Sequence, residues 1–345
     1  FTLKNSVIEE SAVYGAWLKN ASGTVENNII KNNNQGPNSI GIMAEGGTLD
    51  IKNNNFDNNS FGLRLTNGPG DTGNFNVQNN HFTRQIYHPI FFSGAYPYFS
   101  GNTAADNGEN GIHWEGSLQQ DYTLSPDLPY LIEHNNISVP INKTLTILPG
   151  TILKLWGSGS ISVYGKLMAE GTPSQKIVFT SFNDDDCGIA GGCGDTNATT
   201  TPPEAGDWSN LSFFATSSVS SLKHVNIRYG GSKAIFSGEL GALRAKNASL
   251  EITNTSFENN FMAGLWLENS ASTTIRDSIF KNHQLPITND VFGIYALSSL
   301  LFIQNTIFEN NKTGISAGPP SLVQNGGGIQ FINNITNTTP TDLLP

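Results

Sequence analysis

The chain has 345 residues, only 13% of them charged, with a net charge of −10 and 10% aromatic side chains. This balance disfavours nucleic acid and anionic membranes as partners, since both select basic patches. No apolar run approaches the roughly 20 residues a membrane-spanning helix needs, and so many aromatics with so few charges is not a disordered composition.

In chain order, residues 1 to about 85 carry short units rich in Asn: VENNIIKNN, IKNNNFDNN and VQNNHFTRQ, separated by Gly/Pro/Asn turns. Their apolar residues alternate or pair, which is a strand pattern, and no window holds a helical period. Asn after the aromatic has a physical use. It tolerates left-handed backbone, and equivalent Asn residues of successive coils can stack as a ladder at each bend.

The aromatic stretch IYHPIFFSGAYPYFSGN follows. Tyr87, Phe91, Tyr96 and Tyr98 could form an outward platform for sugar rings. The favoured reading puts these rings in the core, because Ile86, Ile90 and Phe92 continue the alternation. From about Gly116 to Tyr130 the pattern stops at a Pro-bearing connector, LSPDLPY, and 121–181 then reads as alternating short strands capping a second unit.

Next comes an acidic insertion, 182–207, with sequence FNDDDCGIAGGCGDTNATTTPPEAGD. Asp184, Asp185, Asp186, Asp195, Asn197 and Asp207 offer hard oxygen ligands on glycine-flexed backbone, the donor set of a structural calcium site. The alternative is a solvated acidic loop. Cys187 and Cys193 within it favour a disulfide, and hence an extracellular location, over a metal site that lacks a second Cys/His pair. Asn20, Asn142, Asn247 and Asn311 head Asn-x-Ser/Thr sequons open to glycosylation in that setting.

The last third repeats a short phrase three times, NTSFENN, DSIFKNH and NTIFENN, with Phe257, Phe280 and Phe308 spaced 23 and 28 residues apart. That period suits one coil of a right-handed parallel β-helix, whose phenylalanines fill the bore. The same phrase opens the chain. Laying Phe1 on Leu250, an offset of 249, superposes Asn5 on Asn254, Gly15 on Gly264 and Trp17 on Trp266. The expectation is therefore an all-β, single elongated solenoid of two abutting units, 1–120 and 121–345, the first continuing a coil that begins before Phe1. A longer parent polypeptide, or self-association through the N-terminal face, follows from that reading.

TLTILPGTILKL, GKLMAEGT, IVFTS and the acidic GDTN loop ahead of GDW resemble the right-handed β-helix units that recur in large secreted and cell-surface proteins of bacteria and archaea. The resemblance implies an extracellular, modular, elongated parent; the cysteine pair inside the loop departs from it. Catalysis finds little support. Parallel β-helices host pectate lyases and polygalacturonases, but no Gly-His-Gly string occurs. His81, His88, His113, His134, His224 and His283 show no partner pattern, and Arg228 is the arginine nearest the acidic loop in sequence. The reading is a non-catalytic structural or adhesive segment, able to meet surface glycans or copies of itself; the alternative is a carbohydrate-binding module or polysaccharide-degrading enzyme.

Overall fold

A computed structural model describes residues 1–36, 38–68, 73–197, 199–215, 218–232, 241–269, 271–283 and 291–344. Among these every regular element is a β-strand and every pairing between strands is parallel, coiling right-handed as the repeat period predicts. Contacts divide the chain into two units. The first holds Phe1–Gly116, Leu124–Leu131 and Gly194–Thr201; the second holds Ser117–Thr123, Ile132–Cys193 and Pro202–Pro345.

In the first unit each coil has three faces. Strands Tyr14–Glu26 and Ile40–Lys52 run across two of them, bending where Asn20 and the pair Gly46 and Gly47 take positive φ. Their leading halves pair onward to Phe61–Thr66, Ile90–Ser93 and Ile112–Glu115, and their trailing halves to Asn74–Gln78 and Tyr98–Ser100. Val7–Glu9, Ile29–Lys31, Asn55–Asp57, His81–Thr83 and Thr103–Ala105 make the third face. Alternation decides what is inside. Ile42, Ala44, Leu63, Leu65, Ile90 and Phe92 are buried, while the residues between them face out.

The dipeptide Asn-Asn divides one corner's work between its two members. The first takes left-handed backbone, as Asn27, Asn53 and Asn79 do with φ of 53° to 56°. The second turns inward and becomes the ladder. Asn28 Nδ2 donates to Asn54 Oδ1 at 2.9 Å, Asn54 to Asn80 at 2.9 Å and Asn80 to Asn102 at 3.0 Å. Each Oδ1 also accepts the backbone N–H of the Asn one coil earlier, and each Nδ2 also reaches a backbone carbonyl, so the amide is fully used. Asp127 ends the ladder by accepting both bonds from Asn102, and burial raises its carboxyl above the usual range.

The second unit repeats the plan. Ile152–Trp156, Ile177–Ser181, Val225–Arg228, Ser256–Glu258, Ile279–Lys281, Ile307–Glu309 and Gln330–Ile332 form one face. Another runs from Thr144–Ile147 to Leu322–Asn325, and the third from Asn136–Val139 to Thr336–Thr339. At its start the strands Asn136–Val139, Thr144–Ile147 and Ile152–Trp156 each pair laterally with a strand of the next coil. Phe257, Phe280, Phe308 and Phe331 lie in register and stack with centroids 4.4, 5.3 and 5.3 Å apart, and Phe56 stacks on Phe82 at 4.6 Å in the first unit. Gly293 has no alternative beside that column, because a Cβ there would lie 2.7 Å from the Phe308 ring.

The aromatic stretch differs from the core reading. Ile90, Phe92 and Phe99 are buried, but Tyr87 and Tyr98 are exposed and Phe91 is half-buried on the outer surface. Gln85 explains the shift. It takes a ladder position, donating to Phe56 O at 2.9 Å, and this puts Ile86 and Tyr87 in the corner that follows, where Ile86 is exposed.

Candidate functional site

With the bore filled, chemistry is left to the outward positions, which the parallel register lines up in columns. In the second unit one column reads Ser138, Ser162, Ser212, Arg244, Trp266, Tyr295, Ser316 and Thr339. A cleft of about 330 Å³ opens along it, lined among others by Asn136, Ser160, Ser162, Asn210, Ser212 and Arg244. Hydroxyls and amides dominate its wall, and the guanidinium of Arg244 is held by Glu268. Just beyond, Trp266 and Tyr295 stack at 4.0 Å.

The matching column of the first unit carries different groups: Trp17, Met43, Arg64, Phe91 and His113. Arg64 covers the Phe91 ring at 4.5 Å, and His113 lies 5.6 Å from that ring and 4.4 Å from the ring of His88. His88 Nδ1 approaches Glu109 Oε2 to 2.6 Å, and His113 Nδ1 is 3.9 Å from the same oxygen. Sequence reasoning missed this cluster. Its only sequence signal was Glu109 four residues before His113; His88 joins through the coil length, which the Gly/Pro-broken stretch after Ser93 hid.

The acidic loop holds its carboxylates largely within the chain. Asp184 is buried and lies 3.1 Å from the Arg228 guanidinium, while its other oxygen accepts the Cys187 N–H at 3.1 Å. Asp186 faces the same arginine at 3.4 Å, and Asp185 the fully buried Lys154 ammonium at 3.5 Å. Asp207 accepts from Ser181 Oγ at 2.7 Å and from the Glu204 N–H at 2.9 Å. Asp195 and Asn197 belong to the segment grouped with the first unit, where Asn197 donates its N–H to Asp195 at 3.1 Å. Cys187 and Cys193 form the expected disulfide. Among the described residues, the group whose His, Cys, Asp or Glu ligand atoms lie close enough to share an ion is His88, Glu109 and His113.

His81 starts the strand His81–Thr83, whereas the remaining histidines and the sequons sit at corners. His134 and His224 take positive φ, and buried His283 replaces an Asn in the second unit's ladder, accepting the Asn260 N–H at 3.3 Å. Burial pushes its imidazole down to about 3. Asn20, Asn142 and Asn247 are exposed, whereas Asn311 is a ladder residue whose Nδ2 donates to Phe280 O at 2.9 Å.

Parallel coils, corner ladders and a filled bore define a right-handed β-solenoid. The sequence pattern described as the right handed beta helix region matches residues 1–125 and 207–339, and the chain belongs to that family. No curated protein and no solved structure gives a match.

Proposed function

We propose that this chain is a non-catalytic structural and adhesive segment of an extracellular protein or filament, presenting its outward columns to surface glycans. The observation that carries the reading is the cleft at Ser160, Ser162, Asn210 and Ser212. A β-helix enzyme acting on acidic sugars needs clustered acids and bases on successive coils. This cleft offers mostly neutral hydrogen-bonding groups, with His134 and Arg244 as its titratable or charged members and the arginine already engaged by Glu268. The Trp266–Tyr295 stack beside it suits the apolar face of a sugar, which aromatic faces bind well. An oxidised Cys187–Cys193 pair supports an oxidising compartment.

Calcium in the acidic loop is a separate proposal, resting on composition. Its competitor is internal: Arg228 and Lys154 supply the positive charge that three consecutive aspartates call for, and calcium at Asp184 requires the arginine to give way.

The functional reading is tested by passing the protein over immobilised neutral and acidic polysaccharides, then assaying the same polymers for new reducing ends and unsaturated products. Retention without turnover, weakened by Trp266→Ala, is expected. Turnover of any polymer overturns the non-catalytic reading in favour of a polysaccharide-degrading enzyme.

A further inference from the structure

We propose that His88, Glu109 and His113 bind one divalent transition-metal ion, with zinc as the reference case. This inference does not depend on the adhesive reading. It rests on donor chemistry, donor spacing and a buried imidazole whose ring nitrogens lack hydrogen-bond partners.

Two imidazoles and a carboxylate select zinc and its first-row neighbours over calcium and magnesium, which prefer oxygen alone. The three ligand atoms lie within 4.8 Å of one another. An ion about 2.0–2.2 Å from each donor at tetrahedral angles would hold the donors roughly 3.3–3.5 Å apart. The observed separations from Glu109 Oε2, 2.6 Å to His88 and 3.9 Å to His113, bracket that value. Small side-chain rotations bring all three onto one centre.

The His113 side chain is only 8% exposed, and neither of its ring nitrogens has a hydrogen-bond partner. A buried imidazole left this way is costly unless something outside the protein completes it. His88 Nδ1 also lacks a hydrogen-bond partner; its 2.6 Å approach to Glu109 is not aligned as a hydrogen bond. Glu115 Oε1 stands 3.6 Å from His113 Nε2, where an outer carboxylate would orient a ligating ring.

The backbone around the site is fixed before any ion arrives. Glu109 donates its N–H to Tyr87 O at 3.1 Å, Gly108 to Gln85 O at 2.9 Å and Asn110 to Thr196 O at 2.7 Å. His88 O accepts from Gly62 at 3.1 Å, and His113 sits in a strand paired with Ile90–Ser93. Three protein ligands leave a fourth position open to water or a ligand atom. His88 and Glu109, with side chains 18% and 21% exposed, give the ion its way in.

The experiment is a zinc titration of the full chain by calorimetry, repeated with calcium and magnesium and followed by melting in zinc and in chelator. One zinc per chain is expected, raising the melting temperature, with no comparable response to the other two ions. Exposed histidines elsewhere could bind zinc weakly, so the deciding variant is His113→Phe, which keeps a ring of similar size against Phe91. Its metal-free circular dichroism should match that of the parent, and zinc affinity should fall about tenfold or more, the scale on which even outer-shell changes act. Glu109→Gln, which retains the shape, serves the same purpose should the first variant fail to fold. Absence of saturable zinc uptake, or an affinity unchanged in a folded variant, overturns the proposal.

Discussion

At one corner of the first unit the inward residue is an amide in four successive coils, Asn28, Asn54, Asn80 and Asn102; at the matching corner of the second it is a hydroxyl, Thr255, Ser278 and Thr306. An amide links side chain to side chain along the axis and still serves the backbone. A hydroxyl has one proton: Ser278 Oγ accepts the Thr255 N–H at 3.2 Å and donates to Arg276 O at 2.7 Å, with nothing left for the next side chain. The bores differ in the opposite sense. The second unit stacks four phenylalanines, whereas in the first Phe56 and Phe82 are flanked in register by Ile30 and Ala104. Cohesion between coils is thus more polar in one unit and more aromatic in the other, on the same backbone. Outward columns are under neither constraint, which is why they diverge most, from Arg64–Phe91–His113 to Arg244–Trp266–Tyr295.

The hardest blow to this comparison is a hole in the aromatic column. Phe280→Ala removes a fully buried ring stacked on both sides and should cost about 3–5 kcal/mol. Phe82→Ala should fall at the lower end of that range, since Ala104 offers less to its far side. Equilibrium denaturation, with each transition assigned to a unit by hydrogen exchange, measures both; equal costs would deny the two bores their difference.

Comparable in size is the loss of Arg228. Its side chain is 7% exposed and that of Asp184 is 2% exposed, so Arg228→Ala strands a buried carboxylate and should cost about 3–5 kcal/mol. Chelator is the paired measurement. Melting that falls in chelator and is restored by calcium rather than zinc supports calcium in the loop, and melting that calcium does not move leaves Arg228 and Lys154 as the countercharge.

How much of this was legible in the sequence follows from how far each interaction reaches. The Phe spacing and the Asn pairs state their own geometry, since the coil period and the valence of an amide are both local facts. The disulfide, six residues apart, was equally local. Asp184 with Arg228 was not, because it needs the register that sets Val178 beside Asn226. His88, Glu109 and His113 required the coil length through a stretch broken by Gly and Pro. Tyr87 and Tyr98 misled because alternation says that a side changes, not where the count restarts after a corner.

His283 supplies a pH test of the second ladder. It is buried and neutral, with its folded value near 3 against 6.5 when free. The unfolded chain takes up a proton below pH 6.5 that the folded chain refuses, so stability is intact above 6.5 and falls as pH drops towards 3. At about 1.4 kcal/mol per pH unit, the loss should reach about 2 kcal/mol by pH 5. His283→Asn, restoring the amide, should flatten that slope between pH 6.5 and pH 5. A variant with the parent's acid sensitivity would place its origin elsewhere.

The smallest effect separates the two members of one Asn-Asn pair in the first unit. Asn53 holds φ at 55° and faces outward, exposed, while Asn54 is buried and donates to Asn80 Oδ1 and Val25 O. Asn54→Ala leaves that carbonyl and the Asn28 N–H without their partner and should cost about 1–3 kcal/mol. Asn53→Ala keeps every ladder bond and adds only the strain of a Cβ in left-handed backbone, about 1–2 kcal/mol at most. Asn53→Gly removes that strain, and the greater freedom it gives the unfolded chain should leave a change of a few tenths to about 1 kcal/mol. Urea midpoints for the three variants should therefore fall in the order Gly at 53, Ala at 53, Ala at 54, the last the least stable. If both alanine variants unfold together, the dipeptide does not divide its labour, and the difference between this amide corner of the first unit and the hydroxyl corner that matches it in the second loses its physical basis.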